Sequence, residues 1–462
     1  MVIAVTASCA AAFLCAPVLA QGESQAELRE VYWPQAEAAN VEDYIKEPMP
    51  PGVQVIQSPL EGPVFANEDG RTFYTWPIDS LRNGDTGDRE GGQSNCTNEV
   101  HTKTAGLMSP YPAGLILPDL DSRPSCAEAW PPVLASEGEQ PIGKWTIVVR
   151  EDGSRQWAYD GYPLYTWHLD KEPGDTFGGY RRRSGADSPA IRIPAGPPPA
   201  IPPQFHIFQT AVGRLLVEQD NFSVYAWDGD EENKSNCYGA CLQDWAPLLA
   251  PETAVSQGEW VSFERSPGVK QWAYRGQPLY RYLDDTSTRS LLGSDIPGWQ
   301  NVYTQRAPTP PSEFTVQVTR VGHVLADANG KTIYKYRCGD DALDQLTCDH
   351  PDTPQVYRYG ICGGGDPVHC AKMFPPVPAP ADAEPKDRFW NVMYISPVTG
   401  LRAEPNEPGS MRVWAYRDRP VYTFAWDEKP GDIGADAWGE AMGNRNGYKA
   451  FWLRDDFRDN DM

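Results

Sequence analysis

Aromatic rings and carboxylates recur together along this chain at one fixed spacing. A Tyr is followed two residues later by a second aromatic and five residues later by Asp, in six copies or near copies. They are Tyr74, Trp76 and Asp79; Tyr165, Trp167 and Asp170; Tyr225, Trp227 and Asp230; Tyr280, Tyr282 and Asp285; Tyr334 and Tyr336; Tyr422, Phe424 and Asp427. The copy at Tyr334 slips, with Gly339 in the acidic place and Asp340 one later. Turned outward, such rings and carboxylates would bind a sugar, a cation or a partner. Turned inward, the rings are core and each Asp closes a turn through backbone N–H groups. Positions i and i+2 share one face of a strand. Recurrence at every strand end favours the structural reading.

Cysteine offers a second chemistry. Eight cysteines remain once Cys9 and Cys15 leave with an N-terminal leader, an even number that reads as disulfides in an exported chain. Cys96 with Cys126 and Cys237 with Cys241 are the obvious pairs. Cys338, Cys348, Cys362 and Cys370 allow three connectivities; by analogy, Cys338 pairs with Cys348 and Cys362 with Cys370. The sharper alternative is a soft-metal or redox site, with His350 and His369 beside Cys348 and Cys370. No Cys-x2-Cys pair supports it. Asp228 and Asp230, with Asp175 and Asp432 in Pro-Gly-Asp turns, could offer oxygens to Ca²⁺, but the EF-hand spacing is absent.

Catalytic templates are missing. The chain has no Gly-x-Ser-x-Gly, His-Glu-x-x-His, Walker A or dinucleotide fingerprint; Gly330-Lys331-Thr332 lacks the leading Gly of a phosphate loop. A net charge of -23 argues against binding nucleic acid. No cofactor is expected. Hydrolysis of an envelope polymer would need a close Asp/Glu pair in an open cleft.

The elements that must position these residues are strands. Gly62, Gly213 and Gly322 each stand 12 residues before a motif Tyr, with Asp69-Gly70, Asp220-Asn221 or Asn329-Gly330 as an intervening turn. Trp157, Trp272 and Trp414 each lie eight residues before Tyr165, Tyr280 and Tyr422. This fixed repetition predicts three all-β modules of small antiparallel, meander or barrel-like sheets, each with two related halves and little helix. A single helical turn is expected after Cys126, Cys241 and Cys370. The expected boundaries are a signal peptide over 1–20, a polar preface over 21–51, and modules over 52–190, 204–305 and 313–445. Pro-rich linkers fill 191–203 and 306–312, and an acidic tail follows from 446 to 462. Val18-Leu19-Ala20 matches a small-residue cleavage pattern. No later stretch reaches the ~18 apolar residues that a membrane span needs.

Cys237-Tyr-Gly-Ala-Cys241, Trp245-Ala-Pro-Leu and Gln271-Trp-Ala-Tyr-Arg-Gly-Gln-Pro-Leu-Tyr280 resemble a known group. It is the bacterial secreted repeat of unknown function, predicted lipoproteins carrying the Yx(F/W/Y)xxD motif. Trp157 to Asp170 and Trp414 to Tyr422 repeat the same text. The resemblance implies an exported, repeat-built β protein and supplies no catalytic residue. No convincing lipobox surrounds Cys9 or Cys15. The expected role is binding or scaffolding in the periplasm or outside the cell, with an unidentified envelope or extracellular ligand or protein as partner. A groove between modules, lined by surplus Trp and Tyr, is the expected ligand site.

Overall fold

The computed structural model describes residues 24–34, 41–77, 88–98, 125–179, 192–338, 350–353, 355–436, 438–439 and 446–455. Strands dominate, paired into small antiparallel sheets. The all-β expectation holds, with open sheets and no closed barrel among the described residues. Helix is confined to Gln25–Tyr32, Cys126–Ala129, Val356–Gly363, Pro367–Met373 and short 3-10 turns such as Gly239–Gln243. Cys126, Cys241 and Cys370 thus lie within the short helical pieces, while Val356–Gly363 is one that the sequence pattern did not announce.

Three segments repeat one plan. Each opens with a hairpin: Gln54–Ser58 with Gly62–Ala66, Phe205–Thr210 with Gly213–Glu218, and Thr315–Thr319 with Gly322–Ala326. Gly213 begins its strand at φ 141°, and a Cβ there would stand 2.3 Å from the Gln305 carbonyl oxygen. Only glycine permits that approach. A second hairpin follows: Trp145–Val149 with Arg155–Tyr159, Trp260–Ser266 with Val269–Tyr274, and Trp390–Ile395 with Met411–Tyr416. Its far turn needs positive φ at two successive residues. Asp160-Gly161 and Arg275-Gly276 supply this, and Arg417-Asp418 does so without glycine, at 51° and 61°.

Each segment then closes with a strand that comes back to its beginning. Trp299–Asn301 pairs with Tyr225–Trp227, and Tyr303–Arg306 pairs with Gly213–Leu215. Asn446–Ala450 and Trp452–Asp455 do the same for the third segment, pairing with Tyr334–Cys338 and with Gly322–Val324. Where an acidic tail is expected from 446, two strands stand, Asn446–Ala450 and Trp452–Asp455, with Tyr448, Phe451 and Leu453 buried. In the first segment the closing strand is Ile193–Pro194, paired with Tyr74–Thr75. It lies inside the stretch read as a Pro-rich linker. Proline is tolerated because this strand is short and at an edge.

The segments are not beads on a string. One apolar core includes Tyr74, Trp130 and Trp167 from the first, Val212, Leu215 and Tyr303 from the second, and Phe314, Trp390 and Trp414 from the third. The preface joins it. Ser24 caps the helix Gln25–Tyr32 in a reciprocal box with Glu27, and Leu28, Tyr32 and Trp33 enter the core. Arg29 donates to the Phe314 and Pro310 carbonyls. Glu42, 2% exposed, accepts two hydrogen bonds from Arg214 and one from Thr304. Removing one partner of a buried pair strands the other charge. Glu42→Ala is predicted to cost about 3–5 kcal/mol by that mechanism, measured as a drop in the guanidinium unfolding midpoint; a loss below about 1 kcal/mol, the scale of an exposed pair, would contradict it.

Candidate functional site

Within each segment the two motif tyrosines face each other as antiparallel partners: Tyr74 with Tyr165, Tyr225 with Tyr280, and Tyr334 with Tyr422. Five of these hydroxyls reach an aspartate from the opposite half. Tyr74 donates to Asp170 at 2.5 Å, Tyr225 to Asp285 at 2.9 Å and Tyr334 to Asp427 at 2.6 Å. In the reverse direction Tyr280 donates to Asp230 and Tyr165 to Asp88, both at 2.7 Å. Asp88 stands where the motif would have placed Asp79, which lies outside the described residues, as do Gly339 and Asp340. All six tyrosines are buried, as are Trp76, Trp167, Tyr336 and Phe424; only Trp227 and Tyr282 are half-buried. The rings therefore point inward.

A second layer braces these pairs, and the sequence reading missed it. The Ser94 hydroxyl hydrogen-bonds the Tyr165 oxygen and accepts from Arg150, which also donates to the Cys96 carbonyl and to Gln156. Ser235, Arg265, Cys237 and Gln271 repeat the arrangement around Tyr280. The signal was present as Ser-Asn-Cys at 94–96 and 235–237, and as Arg and Gln 15 and nine residues before each Tyr. Disulfides Cys96–Cys126, Cys237–Cys241 and Cys362–Cys370 lie beside these layers. The Cys338–Cys348 pairing falls outside the described residues.

The other candidate chemistries do not assemble. Cys362 and Cys370 are bonded to each other, His369 is exposed, and His350 is buried between Asp352 and Asp418. Asp175 and Asp432 each accept two backbone N–H groups of their own turns. Among the described residues no three His, Cys, Asp or Glu side chains converge as metal ligands would.

One concave site stands at the meeting of all three segments. A cavity of about 90 Å³ is lined by Glu61, Gly179 and Pro194 from the first, Gln209 from the second, and Lys335, Arg337, Tyr416, Arg417 and Arg419 from the third. Among the described residues no tryptophan lines it; its aromatic side chains are Tyr336 and Tyr416. Arg417, carried on the positive-φ turn, donates to the Thr176 and Gly179 carbonyls and leaves its Nε without a partner. Tyr416 is 6% exposed, and its hydroxyl also has none.

Perturbed carboxylates are often signs of catalysis; here burial explains them. It pushes Asp88, Asp170 and Asp285 up to about 6, against hydrogen bonds that pull them down. A folded pKa above the unfolded value means the native state holds the proton more tightly, so this stability is full below about pH 4 and lost through about pH 6. Asp170→Asn removes that loss. Relative to the parent, the variant is predicted to gain up to about 3 kcal/mol between about pH 4 and 7, read from urea midpoints. A difference constant across that window would contradict the assignment.

Among the described residues no helix is long and apolar enough to cross a membrane. No curated protein and no solved structure matches the chain. A family model does match, over residues 146–179 and 206–249. The first region spans the second hairpin of the first segment and runs past Asp170 and Asp175. The second spans the opening of the next segment through its Cys237–Cys241 bridge. In both regions the chain is similar to the family described as the secreted repeat of unknown function.

Proposed function

We propose that this protein is a binding module acting in the periplasm or outside the cell, with its ligand site in the cavity where the three segments meet. The observation that carries the reading is the lining itself, drawn from residues more than 350 positions apart, Glu61 to Val421. A cavity so built exists only in the assembled protein, and the shared core holds its walls in fixed relation. Ligand sites favour such junctions. The repeated tyrosine–aspartate pairs take no ligand in this reading; they stiffen the walls. A scaffolding role for the whole body is compatible with the same rigidity.

A ligand that binds the native state alone stabilises it by about 2.7 kcal/mol at a hundredfold excess over its Kd. Screening chemically distinct small molecules by thermal unfolding is therefore expected to find a saturable rise in Tm. Gln209→Phe, which fills the cavity from the second segment, is expected to abolish that rise. An equal shift in both proteins, or none with any compound, speaks against this site.

A further inference from the structure

We propose that the junction cavity takes a small multivalent anion, a phosphate or a compact polycarboxylate. This assignment rests on the binding role proposed above and gives it a ligand class. Acidic groups outnumber basic ones 63 to 40 along the chain. Yet four cations, Lys335, Arg337, Arg417 and Arg419, meet around one cavity that contains a single carboxylate, Glu61. Such a concentration opposes the sign of the whole surface, and a cleft with low-dielectric walls focuses its potential.

Two further features point into the same space. The Tyr416 hydroxyl and the Arg417 Nε are polar hydrogen carriers without hydrogen-bond partners, and the tyrosine is more than nine-tenths buried. Buried donors left so are uncommon in native proteins and call for a partner. Both suit an oxyanion, which accepts from every direction. The third feature is the crowding of basic groups. Burial, with Arg337 and Arg417 beside it, pushes the Lys335 ammonium well below its ordinary value, despite an opposing pull from Asp436. Its ammonium also lies 4.3 Å from the centre of the Phe451 ring. An anion among these groups relieves the repulsion.

Size narrows the class. One water occupies about 10–15 Å³ of such space, so a cavity of about 90 Å³ is on the scale of a small ligand. Arg417 supplies the orientation. Its guanidinium is fixed from behind by the Thr176 and Gly179 carbonyls, so it enters the cavity already positioned. Its turn is held through Asp418, which pairs with Arg402. Preorganised donors lose little freedom on binding.

The test uses the intact protein with inorganic phosphate, citrate, glucose and spermidine, by calorimetry and thermal unfolding. Phosphate or citrate is expected to bind saturably, and whichever binds more tightly names the source of the anion. Arg417→Gln and Tyr416→Phe are each expected to weaken that binding, the first by about 10- to 100-fold. Comparing variant with parent at equal salt removes the general stabilisation that phosphate gives any protein. Should Arg417→Gln prove unstable, Tyr416→Phe decides alone, since it removes one oxygen from a retained ring. If glucose or spermidine binds in a manner blocked by Gln209→Phe while both anions fail, the anion assignment is wrong and the binding role survives. If no compound binds, both fall.

Discussion

A buried phenol and a buried carboxylate each cost free energy alone, and each removes most of that cost from the other. In this protein the two come from opposite halves of a segment, so neither half can bury its ring without the second half in place. The exchange runs both ways in the first two segments, through Tyr74 with Asp170 and Tyr165 with Asp88, then Tyr225 with Asp285 and Tyr280 with Asp230. Halves related in this manner cannot be stable separately. The sheets are small and open, and aromatic stacks, such as Trp245 on Trp299 at 3.5 Å within one four-stranded sheet, are laid down around these paired groups.

The segments depend on one another by the same logic at a larger scale. Gln57 and Gln305 hydrogen-bond across the first and second, Arg454 and Asp295 across the third and second, and Phe177 meets Phe389 edge to face. Each small sheet leaves a face that is too apolar for water, and the three faces cover each other. A cavity is left where the three do not quite meet. Positive side chains gather there because the turn at Arg417-Asp418 and the strand Tyr334–Cys338 both present their basic residues to it.

Much of this was legible in the sequence, and the rest was not for reasons that can be named. The tyrosines, hairpins and turns follow local rules: period-two alternation, Asp-Gly and Arg-Gly at positive φ, and fixed Trp-to-Tyr intervals. The partner of Tyr165 does not follow from the motif spacing, because its carboxylate is Asp88 and not the Asp five residues after Tyr74. The closing strands hid behind composition. Pro194 made one resemble a linker, and the charges around Arg454 and Asp455 made another resemble a solvated tail. The junction could not be foreseen at all, because its walls are set by packing between residues such as Gly179, Gln209 and Lys335 that no periodicity relates.

The last paired strand carries a consequence for the first helix. Trp452–Asp455 lies against the edge of Gly322–Val324, and Phe451 and Leu453 fill part of the core shared with Leu28 and Trp33. The helix Gln25–Tyr32 and this strand, far apart in the chain, therefore complete one core together. Without that strand, the side chains it covers in the shared core would face water and the helix Gln25–Tyr32 would lose part of its seat.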